Sequence, residues 1–404
     1  MKVLITTEWY RPAVNGVVTS VTNLEEGLRA SGHEVKILTL SLTHTSHVDG
    51  DVYYAGSSGV GRIYPNARIR TAYAGSLIKE LINWHPDVVH SQSEFSTFFM
   101  AKCIAGACRC PLVHTYHTVY EKYTQYFSPS VAMGKRMAGL FSRKILTPVD
   151  SVIVPTAKVK TLLESYGVET PIYEVPTGLQ LSRLEPEGNA PSVTRADFGL
   201  SGSDKVFIYA GRLAKEKNIT ELLELFRTET PENAKLLLVG DGPYRETLED
   251  YVYKLDIEKR VIFAGMAAPE TIGDYYRLGD IFVSASRSET QGLTYHEAMA
   301  CGLPMLCRKD ECLEKLVRDG ENGYLYESLQ EFHDAAAALC SSQQLRNRTG
   351  QKAAETIRTE YSRESFAGHV AAVYRESIAF HENAGFGAGR HGFGHIMLPL
   401  GGSR

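Results

Sequence analysis

Residues 2–40, KVLITTEWYRPAVNGVVTSVTNLEEGLRASGHEVKILTL, decide the fold class. KVLIT is a short apolar run of strand type. After it, Val17, Val21, Leu24 and Leu28 recur at helical spacing, and Gly32 stands where a helix ends. EVKILTL then reads as a second strand, which makes a β-α-β unit. The pattern continues through helix TAYAGSLIKELINW, strand DVVHS, helix STFFMAKCIAGACR, strand PLVHTYH and strand DSVIVPT. Such alternation implies a parallel sheet with helices on both faces.

After a stretch near 177–192 rich in Pro, Gly and polar residues, the grammar restarts. KVFIYAG, AKLLLVG, RVIFAG and DIFVSAS read as strands. Residues 218–228, 243–255, 269–278, 292–301 and 311–318 read as helices, and 363–383 as one more. The expected fold is α/β, two Rossmann-like parallel-sheet domains facing across a cleft, with ligands outside the carboxyl ends of the strands. The expected division is 1–177, 178–362, a helix 363–384 packing back on the first domain, and a flexible tail 385–404 with seven glycines.

Bulk composition agrees with a globular chain. The 404 residues are 43% hydrophobic and 22% charged, which argues against disorder and suits two domains. No apolar run reaches membrane-spanning length and the N-terminus lacks a signal-peptide pattern, so the expected location is cytoplasmic. Seven cysteines with no paired C-x-x-C sets argue against a disulfide scaffold or a zinc site. The net charge of −4 gives no reason to expect nucleic acid. The balance is uneven, +3 over residues 1–180 and −7 over 181–404.

Polar motifs cluster just after strands. YAGRLAKEKN places Arg212 and Lys217 between a strand and a helix, two cations suited to a pyrophosphate. VGDGP and FAGM, the latter with Gly265 and Met266, end strands in glycine and let the backbone approach a base or phosphate. In SETQGLTYHEAMACG, the N–H groups of Gly292, Leu293 and Thr294 open a helix and lack intrahelical partners, so a diphosphate fits there. Glu289 then faces a transferred hexose and Glu297 a ribose. Taken without these cations, both glutamates read as solvated surface residues.

GRLAKEKN, ETQGLTYHEAMACGLP with its E-x7-E spacing, and LVRDGENGYLY resemble the donor domain of the retaining glycosyltransferases of family 4, of GT-B fold. The resemblance covers nearly the whole chain before the tail. It implies that Arg212 and Lys217 bind the donor diphosphate and that Glu289 and Glu297 contact donor sugar and ribose. It also makes His117, in HTYHT, the histidine of the donor-acceptor boundary, and puts Glu94, in HSQSEF, toward the acceptor. Gly16, between the first strand and helix, sits where a side chain would block close approach of the diphosphate or acceptor.

More narrowly, YRPAVNGVVTSVTNLEEGLRASGHEV, HSQSEFS and HTYHTVYEKYTQYFSP resemble the diacylglycerol glucosyltransferases of this family. That resemblance implies an α-retaining transfer of glucose from a UDP-sugar donor to a lipid acceptor, with no metal and no cofactor. The segment from Glu121 to Asp150 has no acid between its ends and carries Lys122, Lys135, Arg136, Arg143 and Lys144. Met133, Met137, Leu140 and Phe141 fall at i, i+4, i+7 and i+8, a pattern suited to an anionic membrane surface. A second basic stretch holds Arg62, Arg68 and Arg70. The D-G-D at 49–51 reads as a loop, not a metal site.

Three other readings stay open: a family-4 enzyme with a soluble acceptor, a sugar-nucleotide binding protein without catalysis, and a dehydrogenase. The last is disfavoured because no G-x-G-x-x-G opens the first helix.

Overall fold

The structure, a computed structural model, describes residues 1–13, 15–59, 68–70, 75–122, 130–184 and 191–386. In chain order the first part runs β1 (Lys2–Thr6), α1 (Gly16–Ala30), β2 (Glu34–Leu40), β3 (His47–Asp49), β4 (Val52–Ala55), β5 (Ser58–Gly59), β6 (Arg68–Ile69), α2 (Gly75–Trp84), β7 (Val88–Ser91), α3 (Ser96–Cys108), β8 (Leu112–Thr115), α4 (Val131–Leu146), β9 (Ser151–Val154), α5 (Ala157–Ser165) and β10 (Ile172–Glu174). The second part runs β11 (Lys205–Ala210), α6 (Ile219–Glu229), β12 (Ala234–Val239), α7 (Arg245–Lys254), β13 (Val261–Gly265), α8 (Ile272–Leu278), β14 (Ile281–Ser284), α9 (Leu293–Ala300), β15 (Met305–Arg308), β16 (Gly323–Tyr326), α10 (Leu329–Ser341), α11 (Gln343–Glu360) and α12 (Arg363–Phe386).

Two sheets carry the architecture, in orders β10-β9-β8-β7-β1-β2-β4-β3 and β13-β12-β11-β14-β15-β16. Every pairing in them is parallel except β3 with β4. The Asp49–Asp51 motif is the turn of that hairpin, with Gly50 at φ +57, and Asp51 pairs with Arg29 at 3.0 Å. Each sheet is apolar on both faces. In the first, Leu4 and Val89 face one core cluster, while Val3, Ile5 and Val88 face the other. This explains why its strands read as continuous hydrophobic runs.

The last helix returns to the first sheet. Phe366, Ala367, Val370 and Tyr374 of α12 pack with Val21, Leu24 and Leu28 of α1 over β1. The crossing is close at Gly27, where an added β-carbon would stand 2.7 Å from that of Ala367. The returning chain is also pinned at Leu179, which forms a parallel bridge with Ser362.

Some local expectations are corrected. Residues 311–318 form successive turns, closed by Leu313 N–H on Asp310 O and by Leu316 and Val317 N–H on Leu313 O, not a helix; Asp310 Oδ1 accepts from Cys312 N–H, and Leu313, Leu316 and Val317 all turn inward. Helices α5, α10 and α11 and strand β16 were not foreseen. Phe141 does not share the exposed face of α4 with Met133, Met137 and Leu140; it turns in against Tyr120 and Phe95. The tail from 387 onward and Arg62 lie outside the described residues. Arg68 and Arg70 fold onto the loop at 56–57, donating to Ser57 and Gly56 carbonyls.

Candidate active site

The two halves meet with strand ends facing. Thr156 Oγ1 donates to Thr290 O at 2.9 Å, and Lys158 Nζ reaches both oxygens of Asp310 at 2.6 Å. Gln291 clamps the backbone of Thr177, accepting from its N–H at 2.9 Å and donating to its carbonyl at 2.8 Å. These contacts set the N-terminus of α1 against that of α9: a β-carbon on Gly16 would lie 4.0 Å from Leu293 Cδ1. Both helices turn positive dipole ends to the same region; α1 is capped by Asn15, whose Oδ1 accepts from Val18 N–H at 3.0 Å, whereas α9 has no side-chain cap.

On the second-domain side, β11 and β14 are neighbours, so the loops that follow them lie together. That adjacency joins Lys217 to Glu289, 72 residues apart, with Nζ 2.6 Å from Oε1. Arg212, on the same loop as Lys217, is exposed. Gly292 caps α9 at φ +75, a conformation in which a β-carbon would meet the Tyr295 ring at 2.5 Å. The glycine loops after β11 and β12 touch backbone to backbone: a β-carbon on Gly240 would stand 2.0 Å from Gly211 O. Beside them Gly265 ends β13 at φ +76, and Met266 stands exposed.

Glu297 lies one turn inside α9, where its Oε2 accepts from the Tyr276 hydroxyl at 2.9 Å. No cation is paired with it among the described residues, and burial pushes its carboxyl up to about 7. Glu289 and Glu297 thus differ sharply: one is held by a lysine, the other by a phenol.

On the first-domain side, neighbouring strands β8, β7 and β1 end side by side and carry His117, Glu94 and Glu8 in the loops that follow. His117 Nε2 lies 2.7 Å from Gln92 Oε1; since that oxygen only accepts, Nε2 carries the hydrogen and Nδ1 keeps its lone pair. Burial holds the His117 imidazole down to about 4, so it is neutral at physiological pH. The Gln92 amide in turn rests against His90, whose ring nitrogens bond Tyr374 Oη at 2.6 Å and Thr115 Oγ1 at 2.7 Å. The far end of the chain therefore buttresses this histidine. Gln92, His90, Tyr374 and Glu8 were missed in the sequence; the acid at position 8, just after the first strand, was the one legible signal.

The four cations Lys135, Arg136, Arg143 and Lys144 all lie on α4 with exposed side chains. Lys135 stands 3.6 Å from Glu121. Met133, Met137 and Leu140 are each at least half exposed, as are Phe95 and Phe99 of the adjoining segment. No helix among the described residues is long and apolar enough to cross a membrane.

Two Rossmann-like sheets facing across such a cleft are the architecture of the GT-B glycosyltransferases. Residues 14–183 match the family profile "Glycosyltransferase Family 4" and residues 192–356 match "Glycosyl transferases group 1". The alpha-monoglucosyldiacylglycerol synthase of Streptococcus pneumoniae is 33% identical over 391 residues, covering 94% of this chain and 86% of its own. The enzyme of the same name from Acholeplasma laidlawii is 29% identical over 394 residues, covering 94% and 98%. Among solved structures, sucrose-phosphate synthase from Thermosynechococcus elongatus superposes with a TM-score of 0.72 at 21% identity, covering 94% of this chain and 99% of that one. Anabaena HepE in complex with UDP-glucose gives 0.71 at 18% identity, covering 93% and 100%. The chain belongs to family 4 of the glycosyltransferases.

Proposed function

We propose that the protein transfers glucose from UDP-glucose to diacylglycerol at a membrane surface, with retention of the α configuration and without a metal. The observation that carries this reading is the meeting of Lys217 with Glu289 beside the N-terminus of α9, against which the N-terminus of α1 is set. Arg212, Lys217 and the N–H groups of Gly292, Leu293 and Thr294 would take the charge that develops on the departing diphosphate, which is the dominant demand of the reaction. Gly265 and Met266 would border the base, Glu297 the ribose, and Glu289 the hexose. Attack by the acceptor hydroxyl on the face that UDP leaves breaks the anomeric C–O bond, forms the new one on the same side, and passes the hydroxyl proton to the leaving phosphate oxygen. A neutral His117 suits hydrogen bonding to the donor sugar.

Support for the lipid acceptor is the likeness, across both halves, to relatives named for monoglucosyldiacylglycerol synthesis. The exposed methionines and cations of α4 support a peripheral position on an anionic cytoplasmic leaflet. The division of labour follows: residues 1–177 and the helix 363–384 hold acceptor and membrane, and 178–362 hold the donor.

The test incubates the protein with UDP- and GDP-sugars and with diacylglycerol vesicles or soluble polyols, then identifies the product by mass and its anomer by NMR. An α-glucosyl lipid formed equally with and without EDTA is the expected result. Transfer only to a soluble acceptor, a β product, or loss of activity in chelator would each overturn the corresponding part.

A further inference from the structure

Glu8 has no assigned role, yet it is tied to both flanks of Glu94. Its backbone N–H donates to Ser93 Oγ at 3.0 Å, and its Oε1 accepts from Thr97 N–H at 3.1 Å. Glu94 is only 6% exposed, and its Oε1 has no hydrogen-bond partner among the described residues. The nearest basic group is His114 Nε2, 3.7 Å away on a fully buried ring. Among the described residues, neither nitrogen of that ring has a hydrogen bond either. An unpaired carboxylate oxygen beside an unpaired imidazole costs free energy that a purely structural cluster would relieve, so the vacant valences point to a ligand.

The electrostatics fit one kind of ligand. Burial, with the charge of Glu94 adding to it, pushes the Glu8 carboxyl up to about 7, against the opposing pull of the amides of α3. Near neutral pH the Glu8 carboxyl is therefore partly protonated and can donate as well as accept. A group that does both, beside the unpaired Glu94 oxygen, complements an alcohol. Burial, with the Glu94 carboxylate beside it, pushes the Tyr120 hydroxyl up. The loops bearing His117, Glu94 and Glu8 follow the consecutive neighbours β8, β7 and β1.

We propose that Glu8 and Glu94 form one binding site for the acceptor's hydroxyl groups, holding an alcohol of the glycerol class next to His117. The site rests on the reading that an alcohol receives the hexose, and it adds Glu8 as the residue that completes the acceptor pocket. The same hydroxyls could come from a glycerolipid or from a free polyol.

Trp9 adjoins Glu8, and Trp84 is the only other tryptophan. The full-length Trp84→Phe protein therefore reports on this loop by fluorescence. It is titrated with dioctanoylglycerol micelles and, separately, with glycerol. Glu8→Gln and Glu94→Gln are compared in the same background, with UDP affinity by calorimetry and glucose transfer from UDP-glucose measured in parallel.

A saturable Trp9 response to an alcohol, weakened at least tenfold in both variants with UDP affinity within twofold, is the expected result. Response to the micelles assigns a glycerolipid; response to glycerol alone assigns a polyol. Alcohol affinity and acceptor KM unchanged in both variants, UDP affinity lost in parallel, or no response to either alcohol overturns the site. A carboxylate-dependent response without glucose transfer leaves the site standing and overturns the reaction assigned above.

Discussion

Lys217 Nζ and Glu289 Oε1 stand 2.6 Å apart at the C-terminal ends of adjacent strands, each more than three-quarters buried. On the proposed function, a diphosphate entering the cleft would compete with Glu289 for this ammonium. Lys217→Ala removes the cation and leaves the carboxylate without its partner, so both donor affinity and turnover fall. The expected loss in kcat/KM is about 100-fold or more, with the folded state retained by circular dichroism. Glu289→Gln keeps the shape and loses the charge. It should lower kcat more than it raises donor KM, which steady-state kinetics with UDP-glucose will separate.

Gly292 is a second point of leverage. At φ +75 a side chain is strained, and the β-carbon would overlap the Tyr295 ring. Gly292→Ala should cost roughly 1–3 kcal/mol of stability, read from urea unfolding. Because the residue opens α9, UDP affinity should fall with it, whereas Gly199→Ala, also at positive φ but with nothing near its β-carbon, should leave UDP affinity unchanged.

Histidine 117 makes a pH prediction. Its folded value of about 4 lies below the ordinary 6.5, so between these values the unfolded chain binds more protons than the folded one. This group's contribution to stability is therefore fully present above 6.5 and is lost as pH falls toward 4. His117→Gln should flatten that part of the stability profile. Measured activity should show no acid limb near 6.5 from this residue.

Glu297 works in the opposite direction. Its folded value of about 7 exceeds the ordinary 4.5, so the folded state holds the extra proton and stability declines as pH rises from 4.5 to 7. Glu297→Gln keeps the acceptor for the Tyr276 hydroxyl without the charge. The variant should gain stability relative to the parent as pH is raised through this window, and lose donor affinity throughout. A stability difference independent of pH would rule out the titration.

The central strands of both sheets were legible because they are buried on two faces and read as unbroken apolar runs; β3, β4, β10, β15 and β16 were not read. Helix α11 was not legible: its buried face is Thr349, Gly350, Ala353, Ala354 and Ile357, mostly small residues that give little periodic signal. Helix α10 did carry one, the capping box of Ser328 and Glu331. The nearness of Lys217 to Glu289 was readable since both sit in short loops next to their strands. The cluster around His117 was not, since Gln92, His90 and Tyr374 meet only through strand order and the return of α12, which no local pattern encodes.

The surface of α4 gives the last prediction. Exposed Met133, Met137 and Leu140 lie on a helix with four cations, of which Lys135 is partly engaged by Glu121. Each free cation contributes roughly 1 kcal/mol near an anionic bilayer. Replacing Lys135, Arg136, Arg143 and Lys144 by Gln should weaken co-sedimentation with anionic vesicles by about two to three orders of magnitude, and raising salt should weaken the parent similarly. Met137→Ser with Leu140→Ser should reduce binding at any salt, because apolar insertion is not screened. Both sets are exposed, so turnover with a dispersed short-chain acceptor should stay within about twofold while turnover on vesicles falls; vesicle binding by both variants equal to that of the parent would remove this helix from the membrane contact.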